Sequence, residues 1–580
     1  MRRSIATVCL SGTLEDKLAA AAAAGFDGIE MFENDLVVSP HAPAEIRRRC
    51  ADLGLSIDLY QPFRDFEAVP PDVLAANLRR AERKFDVMAE LGADMMLVCS
   101  SVSPDAVDDD DLAAEQLHLL ADRAAARGMR IAYEALAWGR FVDTFDHSWR
   151  IVRRGDHPAL GLCLDSFHVL SRGTDTAAIR TIPGEKVFFL QLADAPRLHM
   201  DVLQWSRHHR LFPGQGAFDL AAFVGHVLST GYAGPLSLEV FNDVFRQSDP
   251  WRAAVDAMRS LLLLEQDRLP PAPALSGHAF TELEVSGPEV ANALAAMGFC
   301  HAGQHRTKPV QLWRQGAARV LLNEGSGQVS ALAVESADPE RSMARAAALH
   351  APALTDVSLP GVAAPDGTAV FFCSDGWLED FPRTGEHEDA GAGLVGTDHV
   401  SLTQPFDNFD EAALFYRSVL GLTPELATEF AAPFGLVRSR AVSNVARDVR
   451  ISLDVALLRR GEWAPGVPEP QHLAFATRDA IASAKEMQAR GAPLLAIPDN
   501  YYDDLDSRLA PPPDLLAALR EYSVLYDRDE HGEFLHFYTD VLGSRVFFEV
   551  VQRIDGYAGY GAANAPVRMA AHRRLRLSRG

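Results

Sequence analysis

The sequence predicts an α/β protein in which a (β/α)8 barrel is followed by a second, α+β domain. Short runs of Val, Ile, Leu and Phe alternate with helix-like segments over about the first 265 residues, which is the pattern of buried parallel strands and their crossover helices. Four successive runs end in a polar residue, as expected when the C-terminal ends of barrel strands meet on one rim. Beyond a proline-rich stretch the pattern changes, which indicates a new domain.

The barrel elements follow one another from the first residues. SIATVCL is typical of a strand, and LEDKLAAAAAAG is typical of a helix that ends at Gly25. The second strand, FDGIEMF, carries Glu30, and the third, LSIDLY, leads to Tyr60, Gln61 and Arg64. ADMMLVCS gives a fourth strand. Together with four later strands and the helices between them, the pattern predicts eight strands and eight helices, which fits one barrel.

The four later strands end in residues that can bind a hard metal ion. GMRIAYEAL ends near Glu134, ALGLCLDSFH at Asp165, KVFFLQLAD at Gln191 and GPLSLEVF at Glu239. Three carboxylates and one amide oxygen on a common rim would surround one divalent cation, and oxygen ligands suit Mg, Mn or Co. Each of these residues taken alone could instead cap a helix or form half of a salt bridge. Their placement at four successive strand ends favours the metal site.

Composition limits the class of partner. The net charge of −24 and the pI of about 5.2 argue against a nucleic-acid or anionic-membrane partner. The six cysteines are scattered without a CxxC pair, so neither a disulfide framework nor a zinc knuckle is indicated. No apolar run is long enough to span a membrane, and no GxGxxG or P-loop motif suggests a nucleotide cofactor. We expect a cytoplasmic protein that binds a small molecule, and homo-oligomerisation stays open.

The domain boundary lies in EQDRLPPAPALSG, whose prolines make a stiff, non-helical linker. Beyond it, HAFTELEV followed by SGPEVANALAAMGF is echoed by TDHVSLTQ followed by NFDEAALFYRSVLGL. Each pair is a strand and then an amphipathic helix that ends in Gly, so the second domain contains an internal repeat. We predict a barrel over residues 1–265, a linker over 266–277, and two halves of the second domain over 278–392 and 393–580.

Several barrel segments resemble one protein family. KLAAAAAAGFDGIEMFE, the D-x-x-H element from Asp165 to His168 and the four strand-end residues are similar to the xylose-isomerase-like sugar-phosphate isomerase/epimerase superfamily. IAYEALAWGR, LCLDSFHVLSRG, FLQLADAP and HHRLFPGQGAFDL resemble bacterial 3-dehydroshikimate dehydratases that carry a second fused domain. The resemblance covers essentially the whole chain. It implies metal-dependent loss of water from 3-dehydroshikimate to give protocatechuate, a step of quinate and shikimate catabolism.

That chemistry needs groups that move protons and bind substrate. His168 is the expected general base, because its ordinary pKa of about 6.5 suits proton transfer at neutral pH; it could instead touch the metal or orient Asp165. Arg64 and Arg210 are the expected partners of the substrate carboxylate, since both fall in polar rim loops. Glu30 could lie behind the metal ligands. Further candidates for substrate contacts are Tyr60, Gln61, Ser206 and His208, the last two in a long loop after the seventh strand.

The second half of the C-terminal domain resembles 4-hydroxyphenylpyruvate dioxygenase, which has a vicinal-oxygen-chelate fold of repeated βαβββ modules. The similar segments are GTDHVSLT, PQHLAFATRD and LGSRVFFEVVQRIDGYAGYGAAN. The resemblance places His399, His472 and Glu549 on three strands, a triad suited to Fe(II) that Mg or Mn could also occupy. The final helix departs from the family, because YGAANAPVRM has Ala565 and Met569 where the dioxygenases carry pocket-closing aromatic residues. We expect redox activity to be absent or different.

Three other interpretations remain at this stage. The barrel could be a keto-sugar isomerase or epimerase, because a metal-stabilised enolate also serves proton transfer without elimination. The C-terminal domain could be a dioxygenase that acts on an aromatic keto acid. That domain could also be a binding or assembly module, which is the interpretation we favour for it. Formation of an aromatic product separates dehydration from isomerisation.

Overall fold

The computed structural model describes residues 1–325, 327–355, 357–374, 376–385, 391–433, 435–457, 470–543 and 545–579. It divides into two compact units, Met1–Leu269 and Pro270–Gly580. The division falls inside the stretch predicted to be the linker. Within the described residues, no helix is both long and apolar enough to cross a bilayer.

The first unit is a closed barrel of eight parallel strands in sequence order, which confirms the predicted fold class. Its last strand pairs with its first, so the sheet has no free edge. The strands are short and almost wholly buried, as their aliphatic runs predict. They are β1 (Arg3–Ala6), β2 (Gly28–Phe32), β3 (Ser56–Phe63), β4 (Met95–Cys99), β5 (Arg130–Glu134), β6 (Leu160–Asp165), β7 (Val187–Leu192) and β8 (Leu236–Leu238).

Helices cover the outside of the barrel and also form part of its C-terminal rim. Three short helices, α2, α7 and α8, were not expected, and α8 lies in the stretch after the seventh strand that was predicted to be a loop. Between β6 and β7 the chain also forms a 3-10 helix, Thr176–Thr181. The α-helices are α1 (Leu14–Ala23), α2 (Glu33–Val38), α3 (Pro43–Asp52), α4 (Pro71–Leu91), α5 (Asp110–Ala125), α6 (Phe145–Gly155), α7 (Ser166–Ser171), α8 (Val202–His208), α9 (Leu220–Ser229) and α10 (Pro250–Leu264).

Within its described residues, the second unit contains two mixed sheets, each built from strand–helix–strand modules. The first is seven-stranded, in the order β10-β11-β12-β9-β13-β15-β14. Its strands are β9 (Leu275–Val285), β10 (Cys300–Gln304), β11 (Gln311–Gln315), β12 (Ala318–Glu324), β13 (Gln328–Ser336), β14 (Gly361–Ala363) and β15 (Ala369–Cys373), with helices α11 (Glu289–Ala296) and α12 (Pro339–Ala348).

The second sheet repeats this plan with nine strands, in the order β17-β19-β20-β16-β21-β24-β23-β22, and β18 pairs with β19. In both sheets a long first strand, β9 or β16, pairs parallel on one side and antiparallel on the other, which is the repeat seen in the sequence. The strands are β16 (Leu394–Thr403), β17 (Thr423–Pro424), β18 (Thr428–Ala432), β19 (Gly435–Ser443), β20 (Arg450–Ala456), β21 (Gln471–Thr477), β22 (Leu525–Arg528), β23 (Gly532–Tyr538) and β24 (Val546–Asp555). The helices are α13 (Phe409–Leu420), α14 (Ala480–Ala489), α15 (Asp499–Leu509), α16 (Pro513–Glu521) and α17 (Ala565–Arg579).

Candidate active site

The four predicted strand-end residues of the barrel lie on one rim. Glu134 ends β5 and Asp165 ends β6, Gln191 is the fifth residue of β7, and Glu239 follows β8 directly. Register explains their approach, because Asp165 pairs with Gln191 across β6 and β7. All four side chains are buried. Ligand atoms of Glu134, Asp165 and His168 lie within 4.8 Å of one another.

Glu30 ties the glutamine of this set in place. The residue lies inside β2 and not at its end, and it is fully buried. Its Oε2 accepts hydrogen bonds from Nε2 of Gln191, at 2.5 Å, and from Nε2 of Gln61, at 2.9 Å. Gln61 also donates to Glu239 Oε1 at 2.8 Å. Since the amide nitrogen of Gln191 is held by Glu30, its Oε1, which also accepts a hydrogen bond from the Cys163 thiol at 3.2 Å, is the atom that could bind a cation.

The donor set fits a divalent cation better than it fits protons alone. Glu134 Oε1 is buried and accepts no hydrogen bond within the described residues, although its other oxygen accepts one from the Cys99 thiol at 3.4 Å. Burial, with the neighbouring charges of Asp165 and Glu239, raises the pKa of Glu134 well above its ordinary value. Burial likewise raises the pKa of Glu239 to about 7. A cation bound there would remove the cost of crowding these carboxylates.

Arg210 differs from its predicted place. It was expected as a rim arginine open to substrate, but its side chain is fully buried. Its Nη1 donates to Asp165 Oδ2 at 2.7 Å and to Glu239 Oε2 at 3.1 Å, and its Nε donates to Ser206 Oγ at 3.1 Å. The guanidinium therefore neutralises two of the acidic residues, because two buried carboxylates attract the nearest cation. Ser206 lies on α8 and holds Arg210 in this position.

His168 meets hydrogen-bond donors at both ring nitrogens. The Ala137 backbone N–H donates to Nδ1 at 3.0 Å, and Arg210 Nη2 lies 3.2 Å from Nε2. Neither neighbour can accept a proton, so a doubly protonated ring is disfavoured. Burial, with the charge of Arg210 acting in the same direction, lowers the pKa of His168 to about 3. The imidazole is therefore neutral, and Nε2 is the ring atom that faces Glu134 and Asp165, at 3.9 and 3.7 Å.

A cavity opens above these residues. Of the residues predicted to contact substrate, Arg64 and Gln61 line this cavity, whereas Tyr60 and His208 do not. The Tyr60 hydroxyl donates to Glu33 Oε1 at 3.1 Å, and His208 Nδ1 lies 2.9 Å from Asp243 Oδ2. A carboxylate outside the cavity satisfies each of these two groups. The lining also includes residues that sequence reasoning missed, Leu136, Trp138, Arg207 and Phe241.

Two of the missed residues had a visible signal. Trp138 follows Glu134 by four residues within the IAYEALAWGR segment, and its ring meets that of His168 edge-on, with centroids 5.0 Å apart. Arg207 is adjacent to Ser206 on α8. Trp138 therefore forms an apolar wall that limits water beside His168, and Arg207 adds a second cation at the mouth.

Glu67 is a buried acid that shapes the loop carrying Arg64. Its Oε1 accepts hydrogen bonds from the Ser101 N–H at 2.6 Å and from the Tyr133 hydroxyl at 3.0 Å. Its Oε2 is buried and accepts no hydrogen bond within the described residues. Burial raises the pKa of Glu67 from 4.5 to about 7. Glu67 thus joins the loop after β3 to β5 and to the loop after β4.

This shift predicts a loss of stability as pH rises. The unfolded chain releases the Glu67 proton near its ordinary pKa, whereas the folded chain holds it to about pH 7, so the free energy of unfolding falls between those values by about 3 kcal/mol. We expect Glu67→Gln, which keeps an oxygen acceptor, to remove that part of the fall. Denaturant titrations from pH 4.5 to 8 with saturating Mg²⁺ measure it, with the exposed Glu90→Gln as control. Equal slopes in wild type and Glu67→Gln would contradict the assignment.

The second unit brings the predicted triad together on β16, β21 and β24. Glu549 Oε2 lies 3.3 Å from His399 Nε2 and 3.2 Å from His472 Nε2, and the two Nε2 atoms are 3.4 Å apart. All three side chains are buried. Two imidazole nitrogens and one carboxylate oxygen that converge this closely fit a divalent ion with open positions.

Neighbouring side chains orient the triad. Asp398 Oδ1 lies 2.8 Å from His399 Nδ1, and Asp398 is itself paired with Arg450 at 3.1 Å and Arg553 at 2.9 Å. Burial opposes ionisation of Asp398, but these partners hold its pKa well below the ordinary value. Nδ1 of His399 therefore carries the proton and Nε2 keeps its lone pair for a metal. On the other side, His536 Nδ1 lies 2.7 Å from Glu549 Oε1, which leaves Oε2 for the same ion.

The fold and these sites define a xylose-isomerase-like TIM barrel joined to a mixed-sheet domain. The family model of the "Xylose isomerase-like TIM barrel" matches residues 18–261. A solved structure described as a xylose isomerase-like TIM barrel/4-hydroxyphenylpyruvate dioxygenase fusion protein superposes with a TM-score of 0.92 at 43% identity, covering 100% of this chain and 99% of the other.

Curated relatives make the family specific. The 3-dehydroshikimate dehydratase of Pseudomonas putida is 44% identical over 99% of both chains. That of Pseudomonas aeruginosa is 45% identical over 98% of both. The chain belongs to the two-domain 3-dehydroshikimate dehydratase family.

Proposed function

We propose that the barrel catalyses the loss of water from 3-dehydroshikimate to give protocatechuate. The observation that carries the proposal is one cavity lined by Glu134, Glu239, His168 and Arg64. It combines a carboxylate-rich cation site, a neutral imidazole and a guanidinium, which are the groups that elimination from an anionic hydroxy ketone requires. The full-length relatives that carry this name support the same reaction.

The reaction removes a proton from C4 and the hydroxyl from C5, beside the carbonyl at C3. Water leaves, and enolisation of the remaining ring gives the aromatic product. A divalent ion held by Glu134, Asp165, Gln191 and Glu239 would supply Lewis-acid stabilisation of the charge that develops on the carbonyl oxygen, worth several kcal/mol. Mg, Mn and Co all suit these oxygen ligands. Aromatisation provides the driving force, and no nucleotide cofactor is needed.

His168 is the proposed carrier of the C4 proton, and Nε2 is the atom that would move it. Burial keeps the ring neutral, so a lone pair is free to accept a proton at physiological pH, but the lowered pKa of about 3 makes the resting imidazole a weaker base than its ordinary pKa predicted. To accept a proton at Nε2, the ring must carry its hydrogen on Nδ1. That N–H would then point at the Ala137 N–H, and the hydrogen bond between Ala137 and Nδ1 would be lost. In the other tautomer the hydrogen is on Nε2, where it points at the N–H of Arg210 Nη2. Each tautomer therefore loses one of these two hydrogen bonds.

Arg64 is the proposed partner of the substrate carboxylate, with Arg207 as the second cation in place of Arg210. Both line the cavity, and neither guanidinium is paired with a carboxylate within the described residues. Arg210 also lines the cavity, but its guanidinium pairs with Asp165 and Glu239, which supports assigning the role to Arg207. Gln61 and Ser206 also line the cavity and are proposed to contact the ring hydroxyls.

Replacing Arg64 with methionine should raise KM while changing kcat much less. A charge-assisted hydrogen bond is worth about 1.5–3 kcal/mol, so KM should rise about 10-fold to 100-fold. Steady-state kinetics of Arg64→Met and Arg207→Met measure the change, with Arg79→Met on the exposed side of α4 as the control. A KM for Arg64→Met within about twofold of wild type would exclude the carboxylate contact.

An absorbance assay tests the proposed reaction directly. Incubation of the full-length protein with 3-dehydroshikimate and Mg²⁺, Mn²⁺ or Co²⁺ should produce the ultraviolet absorbance of an aromatic acid. Mass loss of one water confirms the elimination. Turnover of keto sugars without an aromatic product would contradict the dehydratase and favour an isomerase or epimerase.

For the second unit we propose a divalent ion, Mg or Fe, at His399, His472 and Glu549, in a module that binds a ligand or supports assembly. The helix α17 supports this over a dioxygenase, because Ala565 and Met569 do not supply aromatic rings to the site. We also propose a reducing, cytoplasmic location, which agrees with six cysteines that form no disulfide.

A further inference from the structure

Helix α17 places an arginine beside the C-terminal triad. The Arg568 Cζ lies 5.0 Å from the centroid of the Phe547 ring and 5.7 Å from that of Tyr538. Its positive charge also acts on His472. Across the part of the chain that the structure describes, no carboxylate pairs with this guanidinium. A half-buried cation thus lies over aromatic rings next to a metal-ligand set.

The other two arginines near the triad are occupied. Arg450 and Arg553 both pair with Asp398, which in turn holds His399. They neutralise the fixed charge behind the triad, so Arg568 is the guanidinium available to a bound anion. A divalent ion with one glutamate ligand adds a further net positive charge. The site therefore favours a ligand with more than one negative group.

Aromatic rings pack around the triad. The Tyr560 ring meets the His399 ring edge-on at 5.1 Å, and the Phe547 ring is stacked on that of His472 at 4.7 Å with an interplanar angle of 25°. Tyr538 meets His472 edge-on at 6.5 Å. An aromatic ligand ring placed among these side chains would gain ring–ring contacts in addition to area burial.

A divalent ion at the triad would favour a ligand with two adjacent oxygens. Asp398 engages Nδ1 of His399, and His536 engages Oε1 of Glu549. His399 Nε2, His472 Nε2 and Glu549 Oε2 would therefore hold a divalent ion and leave further coordination positions for a ligand. A hard divalent ion prefers oxygen at those positions, and two neighbouring oxygens on one molecule bind without the entropy cost of two separate ligands.

We propose that the C-terminal site binds an aromatic carboxylate with two adjacent ring oxygens, the oxygens toward the triad and the carboxylate toward Arg568. The product of the proposed barrel reaction, 3,4-dihydroxybenzoate, belongs to this class, and the identification of that natural ligand rests on the proposed function. The site would then sense or retain product, and Arg568 would make it selective for ligands that carry a carboxylate.

Isothermal titration of the full-length protein in Mg²⁺ tests the proposal. The background is Glu134→Gln, which weakens the barrel metal site, and the probes are 3,4-dihydroxybenzoate, catechol and 4-hydroxybenzoate. We expect 3,4-dihydroxybenzoate to bind at least 10-fold more tightly than either of the others. Adding Arg568→Met should lower its affinity to that of catechol and leave catechol binding unchanged. Arg574→Met, an exposed position on the same helix, is the matched control.

Adding Glu549→Gln to the background should abolish binding of the two diols. The proposal is overturned if 3,4-dihydroxybenzoate binds equally with and without Glu549→Gln, if Arg568→Met leaves its affinity unchanged, or if no heat is detected. Far-ultraviolet circular dichroism of each variant identifies any that fails to fold, and if Arg568→Met fails to fold, Arg568→Gln, which also removes the charge, replaces it. Because the probes are supplied, binding is decided whether or not the barrel produces them.

Discussion

Replacing Glu134 with glutamine is expected to abolish dehydration. The substitution keeps the size of the side chain but removes a charge whose Oε1 is buried without a hydrogen-bond donor in the described residues. If a divalent ion supplies several kcal/mol to the transition state, kcat/KM should fall by about 10³-fold or more. Product absorbance and Mn²⁺ titration measure the two effects on one protein.

A matched control separates this effect from a general loss of charge. Glu115→Gln removes an exposed carboxylate from α5 and should leave both activity and metal affinity unchanged. The Glu134→Gln protein should also unfold as a cooperative domain, because Glu134 makes few favourable contacts when no cation is bound. A variant that still forms product at more than about a tenth of the wild-type rate would exclude Glu134 as a metal ligand.

Replacing His168 with asparagine should lower kcat by about 10²-fold to 10⁴-fold, the usual contribution of a positioned acid or base. Asparagine keeps a polar side chain near the Ala137 N–H but cannot accept a proton. KM and the affinity for Mn²⁺ should change little, because Arg210 continues to pair with Asp165 and Glu239. Steady-state kinetics measure kcat and KM, and metal titration measures the affinity for Mn²⁺.

The control for His168 is His226→Asn, on α9, whose ring Nδ1 lies 2.9 Å from the Thr176 hydroxyl and outside the cavity. It should match wild type in kcat. A His168→Asn protein with unchanged kcat but weakened metal binding would reassign His168 from proton transfer to metal ligation.

The sequence was sufficient for the barrel and for the positions of its acidic residues. Aliphatic runs determine which segments become buried strands, and the topology of a barrel then brings the ends of those strands to one rim. Glu134 and Asp165 therefore occupy strand ends as predicted. The resemblance to 4-hydroxyphenylpyruvate dioxygenase, and not the pattern of aliphatic runs, placed His399, His472 and Glu549 on three strands, and the structure shows that β16, β21 and β24 are neighbours in one sheet.

The partners of the charged groups could not be predicted in this way. Arg210 was expected to reach substrate, but its charge is drawn to Asp165 and Glu239, and this depends on distances that only tertiary structure sets. The segment containing Ser206 and His208 was predicted to be a loop, yet seven residues form α8. Asp201 caps this helix by accepting from the Gln204 N–H, a local signal that was present in the sequence.

The sequence also could not show which residues line the cavity. Tyr60 and Gln61 are neighbours at the end of β3, and successive residues of a strand face opposite sides. Gln61 accordingly points into the cavity, whereas the Tyr60 hydroxyl meets Glu33. Alternation along β3 could have separated the two residues, but it could not have shown which of them faced the cavity.

We predict that dehydration takes place in the barrel and requires the barrel's metal ion. The most direct measurement is formation of the aromatic product from 3-dehydroshikimate by metal-stripped wild type, Glu134→Ala and His399→Ala proteins after Mg²⁺, Mn²⁺ or Co²⁺ is restored. We predict that wild type and His399→Ala recover activity with metal and that Glu134→Ala does not. Loss of product in His399→Ala with full activity in Glu134→Ala would contradict the account and place the reaction in the second unit.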